Sequence, residues 1–176
     1  MTFEPIDTSC IADESLPWMP FVPYSELVSV KLYRADPVRG ETIIVYRAPP
    51  GVRLPCCRHS GKTTIFTVQG RWKFRELDWV AGPGSVVIEH PTSQHTAEVL
   101  LDGTDDAIVF AVTQGDLLIL GDDGRIVGTE NWSTAFDRYV EYCRSNGIEP
   151  RDITGLNTGR PAGQALLQRA GRLEAP

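Results

Sequence analysis

The sequence predicts an all-β chain, an antiparallel jelly-roll barrel followed by one C-terminal helix. Three observations point there. From Leu27 to Gly128, short runs with apolar residues at every second position are separated by the turn segments DPVRG, AGPG, DGTDD and GDDG. Roughly nine to eleven strands at such even spacing are the pattern of a sandwich or jelly roll. β-branched residues crowd runs such as TIIVYRA and SVVIEH, where they suit a pleated, half-buried surface. After Glu130 the apolar period lengthens from two residues to three or four, the spacing of one helical face.

Taken in order, residues 1–26 form an N-terminal arm. Trp18, Met19, Phe21 and Tyr24 alternate with Pro17, Pro20 and Pro23, a mixture that forbids a helix but can lie extended on an apolar surface. Residues 27–147 carry the barrel and its covering helix. LVSVKLYR sets Val28, Val30 and Leu32 against Ser29, Lys31 and Tyr33. TIIVYRA follows, then APPG, then a short strand through Cys57 and His59. TTIFTVQG passes into RWKFRELDWV across Gly70, SVVIEH and HTAEVLL follow AGPG, and AIVFAVTQG leads to a hairpin, DLLILGDDGRIVG. Trp132, Ala135, Phe136, Tyr139, Val140 and Cys143 then line one face of a helix, with caps among Asn131, Ser133 and Thr134 and a stop at Gly147. Residues 148–176 read as a glycine-rich tail with a short helix through QALLQRAG.

Composition narrows the function classes. With 176 residues the chain is one domain, or one domain with a tail, and an apolar content of 41% supports a packed core. A net charge of −6 argues against a nucleic-acid or anionic-membrane partner. The sequence lacks a run of about 18 apolar residues, so no membrane span is expected. MTFEPIDTSC has neither a basic start nor an apolar core, so a cytoplasmic location is expected, and the four cysteines read as thiols. Neither a phosphate-cradling glycine loop nor a serine nucleophile elbow is present.

The chemistry concentrates between Gly51 and His95, which contains all three histidines. Residues i and i+2 of a strand share a face, so Cys57 and His59 project together, opposite Cys56 and Arg58. His95 on a neighbouring strand would complete an open site of three protein ligands for a divalent metal. Cys57 has a second reading, as a small buried space-filler. Glu76 and Glu89 read either as solvated strand positions or as residues at the metal, and His90, beside a turn, reads as structural.

These residues resemble the two cupin motifs. The first maps onto Gly51, Cys57, His59, Thr63 and Gly70, the second onto Gly84, His90, Thr92 and His95. Cysteine stands in place of the first histidine, threonine (Thr63) in place of the glutamate, and His90 and Thr92 in place of a proline and a glycine. LPWMPF, PPGVRLPCCRH, VQGRWKFRELDWVAGPGS and IEHPTSQHT together resemble the small bacterial cupins typified by 2,4'-dihydroxyacetophenone dioxygenase. The resemblance implies a non-haem iron dioxygenase that cleaves a carbon–carbon bond next to a carbonyl in an aryl ketone or dicarbonyl. It implies metal ligation by Cys57, His59 and His95, Fe(II) as the metal with Zn(II) as the alternative, a catalytic role near the metal for Glu76, and a small carbonyl substrate with O2. The cysteine favours zinc or copper over iron, so a non-redox isomerase or hydrolase stays open. So do a non-catalytic metal- or ligand-binding sensor, as in zinc-binding anti-sigma-factor cupins, and a degenerate cupin without metal. Jelly-roll edges and the apolar arm predict a homodimer or homotetramer.

Overall fold

The computed structural model describes residues 10–155. Its strands are β1 (Met19–Phe21), β2 (Ser25–Asp36), β3 (Glu41–Ala48), β4 (Cys57–His59), β5 (Thr63–Gln69) and β6 (Trp72–Phe74). They continue with β7 (Val86–Glu89), β8 (Gln94–His95), β9 (Ala97–Val99), β10 (Ala107–Gln114), β11 (Leu117–Leu120) and β12 (Ile126–Glu130). One helix follows, α1 (Trp132–Ser145). A six-stranded sheet runs β1-β2-β3-β10-β5-β7, a four-stranded sheet β12-β11-β4-β8, and β6 pairs with β9. Every named strand pair is antiparallel. This is the expected all-β antiparallel jelly roll with a C-terminal helix.

Alternation decides which side chains enter the barrel. On β5, Thr63, Ile65 and Thr67 are buried while Thr64 is half-buried and Phe66 exposed. On β10, Ala107, Val109, Ala111 and Thr113 face the interior cavity. Gly70 marks the bend between β5 and β6 and needs its freedom. Its φ is +76°, and a Cβ there would stand 2.6 Å from the Cα of Ala107.

The N-terminal segment is more integrated than an arm laid on the outside. Met19–Phe21 pairs with β2, so the sheet begins inside residues 1–26. The same segment covers the outer face of β2. Lys31, on the polar side of the alternation, is 2% exposed. Its Nζ sits 2.6 Å from the carboxylate of Asp13 and 4.9 Å from the centre of the Trp18 ring. The alternation is intact; both sides of this strand are simply covered.

α1 buries Ala135, Phe136, Tyr139 and Cys143 against the core, each large side chain contributing about 1.5–3 kcal/mol. Asn131 caps it by accepting from the N–H groups of Ser133 and Thr134, and Thr134 Oγ1 accepts from the Asn131 N–H. QALLQRAG lies outside the described residues. Among the described residues no helix is long and apolar enough to cross a membrane.

Candidate metal centre

Two registers assemble the site. In the six-stranded sheet, Thr113 stands beside Thr63 and Thr63 beside Glu89. In the four-stranded sheet, Cys57 stands opposite His95 and His59 opposite Leu117. The inner face of each sheet brings its row into the same end of the barrel. The turn before β8 is held to β4, with Thr92 N–H donating to His59 O at 2.8 Å and His59 N–H to Ser93 O at 3.0 Å.

His59, Glu89 and Thr63 are buried, and Cys57 and His95 are half-buried. His59 Nε2 lies 3.1 Å from Glu89 Oε2 and 4.0 Å from Cys57 Sγ, and His95 Nε2 lies 3.9 Å from the same Glu89 oxygen. Thr63 Oγ1, which donates to Thr113 Oγ1, is 2.9 Å from His59 Nδ1. A threonine that spends its proton on Thr113 accepts from Nδ1–H. The Nε2 lone pair is then left facing Glu89. Glu89 Oε2 has no hydrogen-bond partner despite its burial, nor has His95 Nδ1. Two electron-rich atoms facing each other in a buried space call for a cation or a proton between them.

That unpartnered oxygen tests whether a metal suits the site. Donors held about 2.0–2.3 Å from one ion stand roughly 3–4 Å from each other, and the spacings around His59 Nε2 and Glu89 Oε2 fall in that range. Two imidazoles, a thiol and a carboxylate are all ligands of first-row metals. Among the described residues, no group of three or more His, Cys, Asp or Glu is arranged so that it could hold a metal ion. The donors approach in pairs, and Cys57 Sγ donates instead to His95 O at 3.6 Å. Burial, followed by the negative charges of Glu89, Cys56 and Glu76, pushes the Cys57 thiol up to about 12. Without a cation it therefore stays protonated.

Glu76 stands apart from this cluster. It is exposed, and its Oε2 accepts from the Thr96 N–H at 3.0 Å. Slight burial opposes its ionisation, but the Thr96 bonds and the nearby His95 outweigh that and hold its carboxyl below the ordinary range. Glu89, which the sequence offered on equal terms with Glu76, is the carboxylate that meets the histidines. Its signal was position, since SVVIEH alternates and Glu89 falls on the side of Val87. His90, its neighbour, is exposed.

The cluster opens onto an apolar chamber of about 120 Å³ between the sheets, walled by residues such as Tyr46, Ile65, Val109 and Ala111. A second, open cleft of about 370 Å³ runs along β7, with Leu77, Trp79 and Val80 opposite it and Glu89 and His95 within it. Phe74 stacks on His95 at 4.3 Å between ring centres, and Trp79 packs edge-on against Phe74 at 5.3 Å.

Known proteins resemble the chain as follows. The family profile described as the ChrR cupin-like domain matches residues 7–117. An RmlC-like cupin from Ralstonia eutropha JMP134 is 45% identical, with 85% of this chain and 95% of that one covered and a TM-score of 0.82. A protein with a cupin-like fold from the same organism is 18% identical, covering 84% and 90%, with a TM-score of 0.73. An acetylacetone dioxygenase from Acinetobacter johnsonii is 16% identical, covering 80% and 95%, with a TM-score of 0.69. The last two likenesses concern the fold. No curated protein matches the chain.

Proposed function

Because this chain belongs to the ChrR cupin-like domain family, we propose that it is a metal-dependent cupin enzyme, a non-haem iron dioxygenase cleaving a carbon–carbon bond beside a carbonyl. The observation that carries the reading is the buried, unpartnered Glu89 Oε2 between the Nε2 atoms of His59 and His95, at the mouth of an apolar chamber. Cys57, His59 and His95 would hold the ion, with Glu89 beside it. A ferrous ion bound there would supply Lewis acidity and electrons for reaction with O2.

The protein's own part is definable. Thr63 keeps the His59 proton on Nδ1 and so frees Nε2. Glu89 Oε2 is a free acceptor in a water-poor site, able to take a proton from the carbon next to a substrate carbonyl. The apolar wall favours an uncharged substrate. In this reading Glu76 acts only at a distance, by ordering Thr96 next to His95. The structural likeness to an acetylacetone dioxygenase supports the same chemistry by analogy of fold.

One observation favours a second reading. The thiol of Cys57 lines the chamber, and as a thiolate it would favour zinc, turning the site to enolisation or hydrolysis without O2. Metal analysis of the purified protein, with oxygen uptake on a panel of aryl ketones and 1,3-dicarbonyls, separates the two. Iron with substrate-dependent uptake upholds the dioxygenase, and zinc with α-proton exchange but no uptake moves the protein to the second reading. A protein that holds no metal even after reconstitution sinks both. Phe66, Val68, Val86 and Ile88, 43% to 58% exposed on β5 and β7, support a homo-oligomer. Light scattering showing a monomer at micromolar concentration would overturn that part.

A further inference from the structure

Tyr46 lines the chamber from β3, on the side of the strand that also carries Ile44 and Ala48. It stands opposite Val30 on β2 and Val109 on β10. Its ring is held edge-on against Phe21, with centres 5.4 Å apart at 89°, and Phe21 packs in turn on Tyr24 at 5.1 Å. Among the described residues the Tyr46 hydroxyl has no hydrogen-bond partner. The other polar groups of the wall are engaged. Trp72 Nε1 donates to Thr67 Oγ1 at 2.9 Å, Thr63 donates to Thr113, and Glu98 is paired with Arg53 and Arg75. Cys57 donates to His95 O, and His59 and Glu89 form the cluster. Outside the cluster, the Tyr46 hydroxyl is the polar group of the wall left without a hydrogen bond.

Burial, then the negative charge of Glu130, pushes the phenol above its ordinary range; Arg138 opposes this, and Cys57 and Glu89 add to it. The hydroxyl therefore stays protonated and is a donor. An O–H held out of water without an acceptor costs free energy, and an oxygen of a bound molecule would supply the acceptor. The register sets this donor away from the cluster. Thr63 stands beside Thr113, whereas Tyr46 stands beside Val109, four residues earlier on β10. At 3.3 Å per residue, the two positions are about 13 Å apart along the strand. The ring spans part of that distance, since the charges of Cys57 and Glu89 reach its hydroxyl.

We propose that Tyr46 is a ligand-binding residue, its hydroxyl donating to an oxygen of the bound molecule remote from the group held at the His59–Glu89 cluster. It thereby selects neutral ligands that carry two separated oxygens. This rests on the reading of that cluster as the ligand-binding centre. The chamber sets the size: about 120 Å³ approaches the roughly 150 Å³ apolar cavity that holds a benzene molecule. A single ring or a short chain fits. A carbonyl at one end meets the cluster, and an ether, ester or second carbonyl oxygen at the other meets Tyr46. Hydrocarbon at that end would leave the phenol without its acceptor. Tyr46 is thus a specificity-determining residue.

Cyclohexanone and tetrahydropyran-4-one test this, because they differ only in a methylene against an ether oxygen opposite the carbonyl. The isotope-labelled full chain, as wild type and as Tyr46→Phe, is titrated with each ketone in chelator. Kd is read from the amide chemical shifts of the strands around the chamber. Tyr46→Phe should weaken the ether ketone about fivefold and change cyclohexanone by less than about twofold. Its Tm should not fall, since the hydroxyl it removes has no partner. Equal loss for both ketones would make Tyr46 a space-filling wall residue and overturn the proposal, as would unchanged affinity for both. A clearly lower Tm in Tyr46→Phe would show the hydroxyl bonded within the protein and overturn it as well. If neither ketone shifts the wild-type amides, the chamber takes no such ligand and the proposal falls. Titration in chelator does not depend on a bound metal, so failure here is distinct from failure of the metal-content and oxygen-uptake tests.

Discussion

Replacing Glu89 by glutamine should stabilise the metal-free protein and weaken the metal-bound one. In the metal-free state Glu89 Oε2 is buried without a hydrogen-bond partner, 3.1 Å from His59 Nε2. A buried unsatisfied acceptor costs about 1–3 kcal/mol. The amide that replaces it can donate to the Nε2 lone pair that Thr63 leaves free, so Glu89→Gln should gain about 1–2 kcal/mol. For a domain of this size that is a rise in Tm of about 2–8 °C. With metal the sign reverses. Ligand at a hundredfold excess over Kd stabilises by about 2.7 kcal/mol, and each tenfold loss of affinity removes about 1.4 kcal/mol of that. Differential scanning calorimetry in chelator and in excess Zn(II) or anaerobic Fe(II) reads both states. The variant should melt above wild type in chelator and gain less from metal. A lower Tm in chelator would mean that His59 and Glu89 already form a protonated ion pair, and the argument from facing lone pairs would fail. An unchanged metal-induced shift would show that Glu89 does not stand beside the ion.

Further outcomes follow from single residues. Cys57→Ser should lower metal content, whereas Cys56→Ser, just before β4 and outside the chamber lining, should leave it unchanged; equal loss in elemental analysis would overturn the assignment of Cys57. Thr92, where the cupin motif carries glycine, sits at φ +75°, so Thr92→Gly should stabilise by about 1 kcal/mol in urea denaturation, and a loss would show that its side chain has a structural role. Burial opposes ionisation of Asp36, but bonds from the Arg39 and Val38 N–H groups and from the Arg39 and Arg34 guanidinium groups outweigh it and hold its carboxyl below the ordinary range. Its contribution is therefore complete above the unfolded value of about 3.9 and lost as pH falls through the lower folded one; Asp36→Asn should flatten acid unfolding there, and an unchanged profile would refute the assignment. Asn131→Ala should cost about 1 kcal/mol through its cap, read as a lower Tm without change in metal content.

Local chemistry made much of this protein legible. The two-residue period from Val28 onward, the turn glycines and the switch to helical spacing at Trp132 each report a short-range preference, and each predicts its element. Cys57 and His59 were readable as a pair for the same reason, because strand geometry puts i and i+2 on one side. The covered face of Lys31 was not readable, since it depends on where the segment around Asp13 and Trp18 folds back.

The choice between Glu76 and Glu89 lay beyond the sequence. Both follow the first motif, and both sit in segments that read as strand. Glu89 enters the barrel because β7 pairs with β5 in a register that sets it beside Thr63, while the chain turns out of β6 before reaching Glu76. A shift of one residue in that pairing would send Glu89 to the outside with Ile88. The sequence alone singled out Cys57, His59 and His95 as candidate ligands and the elements that present them. The tertiary structure decided which carboxylate meets the histidines, because pairing between distant strands sets each register and local propensity does not encode it.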